Sequence, residues 1–148
     1  MPILDQLYRQ LVMDHSKNRR NHRKIEGDKV LQKHYKNPTC GDVMTLFIQL
    51  SDKRTIEDIS FVGEGCSISM ASASMMTGLL KGASLKEASQ LRHAMEKMIR
   101  EGDIPEDVDL GDALALEGVH KLKARHNCAL MTWQALDRTL DDYEEYSK

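Results

Sequence analysis

The three cysteines of this 148-residue chain each stand in a local sequence suited to metal or sulfur chemistry. Cys40 lies in the segment NPTCGD at 37–42, Cys66 in GEGCSI at 63–68, and Cys128 in RHNCA at 125–129. A thiolate is both a nucleophile and a soft metal ligand. Together with the carboxylate of Asp42, three thiolates would complete the four-ligand shell that zinc prefers.

The local sequence around these side chains favours a common site. Gly41 has no side chain, so the chain can turn sharply between Cys40 and Asp42. Cys66 and Cys128 are each predicted at the N-terminus of a helix, where the helix dipole favours an anionic sulfur. The spacing is not that of a close-set pair of cysteines, however, and a single cysteine is most often a small buried hydrophobic residue. From the residues alone, both interpretations stay open.

Composition excludes several classes of protein. The chain is 41% hydrophobic and 30% charged, which is typical of a globular protein, and its length predicts a single domain over residues 1–148. The net charge of -2 argues against a nucleic-acid partner. No apolar run is long enough to cross a membrane, and the charged N-terminus is not a signal peptide. We therefore expect a cytoplasmic protein whose three thiols stay reduced, without a disulfide framework.

The N-terminal segment combines an amphipathic helix with a basic stretch. The apolar face of the predicted helix consists of Ile3, Leu4, Leu7, Leu11 and Val12. The stretch from Lys17 to Lys24 then carries Arg19, Arg20 and Arg23. It is either a solvated loop or a docking surface for an acidic partner protein.

Three short strands are predicted next, over residues 30–35, 43–50 and 56–62. A turn at 51–54 separates the second from the third, so the three should form an antiparallel meander. Cys40, Gly41 and Asp42 would lie at the junction between its first two strands.

The remainder of the chain is predicted to be helical. One helix covers residues 67–80, another follows the capping box at 84–87, and the last begins near Asn127 as its N-cap. Residues 101–116 read as a loop with short helical turns. The apolar stripes of the second and last of these helices are Leu85, Ala88, Leu91, Met95, Met98 and Ile99, and Ala129, Trp133, Leu136, Leu140 and Tyr143. The predicted fold class is α+β, a small three-stranded antiparallel sheet packed with helices.

Taken together, these motifs resemble the IscU/SufU family of iron–sulfur cluster assembly proteins. The resemblance rests on NPTCGD at 37–42, on GCSISMASAS at 65–74, and on a third cysteine that opens the last helix. It implies a SufE/NifU-like fold. It also implies that Cys40, Asp42, Cys66 and Cys128 are the metal-binding set.

Several departures from the IscU pattern indicate the SufU-type branch of this family. Asn127 stands where IscU proteins carry a histidine before the third cysteine. KLKAR at 121–125 stands in place of a segment that a specialised chaperone recognises in IscU proteins. Residues 100–116 resemble an insertion relative to IscU. We expect the neighbouring His126 to point away from a site fixed by Cys128.

The resemblance to SufU implies a zinc-dependent sulfur acceptor. It would take persulfide sulfur from a pyridoxal-phosphate-dependent cysteine desulfurase of the SufS kind and pass it to downstream iron–sulfur assembly proteins. Cys40, on its glycine turn, is the expected acceptor, since transfer needs an exposed thiolate. Zinc would keep that thiolate deprotonated until a partner side chain displaces it. Whether such a carrier counts as an enzyme is left open.

Three other functions use the same residues. A scaffold could assemble a transient iron–sulfur cluster on the three thiolates, with Asp42 making it labile. A purely structural zinc module would unfold when stripped of metal. A hydrolase built on Cys128 and His126 is disfavoured, because no nucleophile elbow or oxyanion-hole motif accompanies them.

Overall fold

The computed structural model describes residues 2–37, 41–143 and 146, so Cys40 lies outside the described residues. The helices are α1 (Pro2–Lys17), α2 (Ser67–Leu80), α3 (Leu85–Glu101) and α4 (His126–Thr139), and the strands are β1 (Val30–Lys36), β2 (Val43–Leu50) and β3 (Ile56–Glu64). Two 3-10 helices, Gly111–Lys121 and Lys123–Arg125, precede α4. These elements confirm the predicted α+β class.

The sheet is the predicted antiparallel meander, with strand order β1-β2-β3. On β2, Met44, Leu46 and Ile48 are fully buried, because alternate residues of a strand face the same side. The link between β1 and β2 is closed by two backbone hydrogen bonds, from Asn37 N–H to the Asp42 carbonyl (2.8 Å) and from Gly41 N–H to the Asn37 carbonyl (2.9 Å). Gly41 has φ +71°, a conformation that favours glycine, so the sharp turn before Asp42 is present.

Helix α2 lies at the centre of the molecule. It is buried from Ser69 to Thr77, and it packs against α1, α4, the sheet and the longer 3-10 helix. Its alanines and serines let the neighbouring backbones approach closely. The Ser72 hydroxyl, for example, donates to the Ala129 carbonyl in α4 at 2.6 Å. This contact joins the two helices that carry Cys66 and Cys128.

Helix α3 forms as its sequence predicts. Ser84 and Glu87 make both hydrogen bonds of the capping box, at 3.1 Å each. The helix ends at Gly102, whose φ of +77° provides a left-handed cap. All six residues of its predicted apolar stripe are buried.

The predicted N-cap of α4 is wrong. The helix begins at His126, so Asn127 lies inside its first turn, and Arg125 occupies the cap position without a capping side-chain hydrogen bond. The side-chain oxygen of Asn127 instead accepts a hydrogen bond from Arg100 of α3 at 3.2 Å. A tertiary partner has therefore replaced the local capping role that asparagine often takes.

His15 ties α1 to two other elements. Its imidazole Nδ1 lies 2.8 Å from the Ser74 hydroxyl in α2, and its Nε2 lies 2.9 Å from Asp112 in the longer 3-10 helix. His15 is buried, whereas Asp112 is partly exposed and also pairs with Arg20 at 3.3 Å. No described helix combines the length and apolar character that a membrane crossing needs.

Candidate metal centre

Asp42, Cys66 and Cys128 meet at one point, although 86 positions separate the first from the last. One ligand atom from each, the two sulfurs and a carboxylate oxygen, lie within 4.8 Å of one another. Ligands around a tetrahedral zinc, with Zn–S bonds of about 2.3 Å, stand roughly 3.8 Å apart. The three atoms are therefore close to the separation that one zinc ion requires, and Asp42 and Cys128 are buried.

Each of the three side chains is supplied by a different element. Asp42 immediately precedes β2, Cys66 is the N-cap of α2, and Cys128 lies in the first turn of α4. The N-terminal end of the central strand, β2, and two helix N-termini thus converge. Backbone N–H groups and the helix dipole at both termini favour the negative charge that thiolates and a carboxylate bring.

The Asp42 carboxylate is held by hydrogen bonds at both oxygens. The Cys66 backbone N–H donates to Oδ1 at 3.1 Å, and the Ser69 hydroxyl donates to Oδ2. Gly65 leaves room for it, since a Cβ on that glycine would lie 2.8 Å from both Cγ and Oδ1 of Asp42. The carboxylate occupies the space that a side chain at position 65 would fill.

Cys66 caps α2 with its own sulfur. Its backbone is extended, with φ -68° and ψ 167°, and its Sγ accepts a hydrogen bond from the Ser69 N–H at 3.4 Å. Unlike Cys128, Cys66 is partly exposed. One side of the site therefore remains open toward solvent.

His126 does not join the group. Its Nε2 lies 2.8 Å from the His120 carbonyl oxygen, and its ring stacks on that of His120 at 6.0 Å between centroids. Of the cysteines, acids and histidines that the structure describes, those that come together here are Asp42, Cys66 and Cys128. The expected orientation of His126, away from the site, is confirmed.

Cys40 was predicted as both ligand and acceptor, and it falls outside the described residues. In the sequence it stands two positions before Asp42. Its role as a fourth ligand stays a prediction.

The basic stretch is largely engaged within the molecule. Arg23 pairs with Asp58 at 2.8 Å, Arg20 with Asp112, and Arg19 lies 3.7 Å from Glu64 at the end of β3. Arg19 also reaches the Gly63 carbonyl at 3.5 Å, on the strand that leads to Cys66. These arginines fasten the loop after α1 to the sheet and the longer 3-10 helix.

Two residues of the site carry weaker sequence signals. Gly65 stands beside Cys66 in GEGCSI, and its structural role is to make space for Asp42. Ser69 is one of several serines in the motif GCSISMASAS. Its position three residues after a capping residue is the signal that could have identified it, because that backbone N–H faces the cap.

The donor set fits zinc. Calcium and magnesium prefer oxygen ligands, whereas two sulfurs and one carboxylate suit zinc or iron. The two buried ligands and the surrounding hydrogen bonds provide the outer support that metal ligands usually have. Asp42, Cys66 and Cys128 could hold such an ion, and a fourth ligand would complete the shell.

Comparisons with known proteins agree with this geometry. A family model described as the NifU-like N terminal domain matches residues 7–148. The zinc-dependent sulfurtransferase SufU of Bacillus subtilis is 45% identical over 135 residues, which cover 91% of this chain and 90% of that protein. The iron-sulfur cluster assembly scaffold protein IscU of Streptococcus pyogenes is 40% identical over 137 residues, or 93% of this chain and 84% of that one.

A solved structure is also similar. It is a candidate iron-sulfur cluster assembly scaffold protein for the SUF system from Fervidobacterium islandicum. The TM-score is 0.80 at 33% identity, over 88% of this chain and 94% of that chain.

Proposed function

Because the chain belongs to the family of the NifU-like N terminal domain, we propose that it is a zinc-dependent sulfurtransferase in iron–sulfur cluster assembly. The observation that carries this proposal is the convergence of Asp42, Cys66 and Cys128 within 4.8 Å. A relative named as a zinc-dependent sulfurtransferase, at 45% identity, supports zinc as the metal. The expected place of action is the cytoplasm, where thiols stay reduced.

Zinc would be held by Asp42, Cys66 and Cys128, with Cys40 as the fourth ligand. When bound, zinc stabilises thiolates against protonation at neutral pH. The protein itself positions and stabilises these ligands. Two helix N-termini balance the negative ligands, and the hydrogen bonds to Asp42 keep its carboxylate in place.

Cys40 is the proposed sulfur acceptor. Its thiolate would attack the terminal sulfur of a persulfide on the cysteine desulfurase. A new S–S bond then forms on Cys40, the S–S bond of the desulfurase breaks, and the desulfurase cysteine leaves as a thiolate. No external oxidant or reductant is needed, because the sulfur is exchanged between two thiols.

Radiolabelled sulfur tests this proposal. The purified chain is incubated with a cysteine desulfurase and labelled cysteine, and protein-bound persulfide is counted. We expect Cys40→Ala to abolish labelling. Cys128→Ala is the matched control, because it also removes a metal ligand but leaves the acceptor, so it should retain measurable labelling. Full labelling of Cys40→Ala would exclude Cys40 as the acceptor.

The desulfurase is proposed to dock beside α1 and the basic stretch. Arg19, Arg20 and Arg23 form ion pairs within the protein, so neutralising them would also perturb its structure. Lys17 and Lys24 are exposed and form no ion pair with any residue that the structure describes. Replacing both by glutamine should weaken the complex and reduce its salt dependence. Unchanged affinity and salt dependence would favour a solvated loop.

A cluster scaffold is the second candidate. The same sulfur and carboxylate donors can bind iron, and the similar Streptococcus protein is named a scaffold. A brown purified protein that passes its cluster to an apo-acceptor would favour this function. A colourless protein with about one zinc ion per chain favours sulfur transfer.

A further inference from the structure

We propose that Ser69 is a positioning residue of the metal centre, which holds Asp42 and Cys66 in the orientation that a metal ion needs. This inference rests on the proposed metal site. Ser69 is fully buried in the first turn of α2, one turn from the Cys66 cap. It contacts two of the three candidate ligands, with its backbone and with its side chain.

The contacts divide between the two ligands. The Ser69 N–H donates to Cys66 Sγ at 3.4 Å, and the Ser69 hydroxyl donates to Asp42 Oδ2. The hydroxyl oxygen also lies 3.2 Å from Cys66 Sγ. An ionised carboxylate can only accept hydrogen bonds, so the single proton of the Ser69 hydroxyl points toward Asp42. The Ser69 backbone N–H donates the hydrogen bond to Cys66 Sγ.

These hydrogen bonds orient the carboxylate without blocking it. Each carboxylate oxygen has two lone pairs. The Cys66 N–H uses one on Oδ1 and the Ser69 hydroxyl uses one on Oδ2, which leaves one on each oxygen for a metal. Removing the hydroxyl would leave Asp42 held at Oδ1 alone, and the carboxylate could turn away from the sulfurs.

The other buried serines of α2 show that this contact is specific to Ser69. Ser72 donates to the Ala129 carbonyl, and Ser74 binds His15 and the Arg20 backbone N–H, each at 2.8 Å. Ser74 has no hydrogen bond with Asp42, Cys66 or Cys128 among the described residues. Ser69 and Ser74 thus share a helix, full burial and hydrogen bonding, and differ in whether they touch the site.

This difference defines the experiment. The full chains carrying Ser69→Ala and Ser74→Ala are titrated with zinc against a chromophoric chelator, and with cobalt(II) as a spectroscopic probe. We expect Ser69→Ala to bind zinc about 10- to 100-fold more weakly and to change the cobalt absorption bands. Ser74→Ala should keep wild-type affinity and the wild-type cobalt spectrum even if it unfolds more easily.

A double-mutant cycle keeps the test independent of folding stability. If Ser69 acts through Asp42, then Ser69→Ala should weaken zinc binding no further in a chain that already carries Asp42→Ala. Wild-type affinity of Ser69→Ala, an equal loss in Ser74→Ala, or additive losses in the cycle would overturn the inference. A wild-type chain that binds neither ion would overturn the proposed metal site and this inference with it.

Discussion

Three neighbouring residues fix the position of the Asp42 carboxylate. It occupies the space beside Gly65 that a side chain would need, and the Cys66 N–H and Ser69 hydroxyl hold its two oxygens. A small substitution at any of these three neighbours should therefore lower the affinity for a metal more than it lowers the stability of the fold.

Gly65→Ala tests this arrangement. The added methyl group would lie 2.8 Å from Asp42 Cγ and Oδ1, so the carboxylate must shift from the position it holds beside the two sulfurs. We expect zinc affinity to fall about tenfold or more in a chelator competition assay, as is typical when support of a ligand is lost.

Gly78→Ala is the matched control. Gly78 lies in α2, and a Cβ there would meet no atom within 4 Å other than those of its chain neighbours and its own helix backbone. This variant should keep its zinc affinity and gain about 0.5–1 kcal/mol in free energy of unfolding, because alanine favours helix over glycine. Equal zinc affinity in both variants would contradict the placement of Asp42 against Gly65.

At the residue level, site residues could be predicted from the sequence where the residue type alone indicates metal or sulfur chemistry. A cysteine beside a glycine turn, two cysteines at helix starts and a nearby aspartate predicted a site of Cys40, Asp42, Cys66 and Cys128. Of these, the described residues Asp42, Cys66 and Cys128 lie together. Ser69 could not be singled out in this way, because serine is common in a small-residue helix. Only the packed structure shows which buried serine faces the ligands.

Elements with a strong local pattern were predicted well. The bounds of β2 and α2 match the prediction, and the alternation of β2 and the capping box of α3 are both present. The start of α4 was wrong because Asn127 bonds to Arg100, which is 27 positions away. Local propensity cannot anticipate such a partner.

The network around His15 is another feature without a local signal. His15 contacts Ser74 and Asp112, 59 and 97 positions along the chain. It fastens α1 to α2 and to the 3-10 helix Gly111–Lys121. The hydrogen bond from His15, with the electrostatic effects of His15 and Arg20, outweighs burial and holds the pKa of Asp112 below its ordinary value of 3.8.

This depressed pKa predicts a pH dependence. A carboxyl group whose pKa is lower in the folded state contributes stability above its unfolded pKa of 3.8, and that stability is lost as the pH falls through the folded pKa. Asp112→Asn should therefore unfold more easily at pH 6 and lose less of its stability on acidification to pH 3. Urea unfolding across this range measures both effects.

Asp107→Asn is the control for this prediction, since Asp107 is an exposed acid in the loop that leads to the same 3-10 helix. It should retain the wild-type acid dependence. If Asp112→Asn and the wild type lose equal stability on acidification, the ion-paired network does not stabilise the fold as described.

On the scale of the whole molecule, the site lies where the start of the central strand, β2, meets the N-termini of α2 and α4. The hydrophobic core extends from the sheet through α2, α3 and α4, and includes Phe61, Met76 and Trp133. Because Asp42 and Cys66 do not belong to this core, we expect the fold to persist without a bound ion.

Metal removal should accordingly weaken the protein without unfolding it. After treatment with a strong chelator, we expect the chain to keep its far-UV circular dichroism and to unfold cooperatively at a lower urea concentration. The loss reflects binding linkage, about 3 kcal/mol when zinc is present at a hundredfold excess over its dissociation constant. Loss of cooperative unfolding would favour a purely structural zinc module.

The donor set itself can be measured by X-ray absorption at the zinc edge of the purified full chain. Three cysteines and Asp42 predict about three sulfur ligands near 2.3 Å and one oxygen near 2.0 Å. In Cys66→Ala and Cys128→Ala, one sulfur should disappear from the shell or the zinc should be lost. A wild-type shell of oxygen and nitrogen ligands alone, or one unchanged in both variants, would contradict a metal centre at Asp42, Cys66 and Cys128.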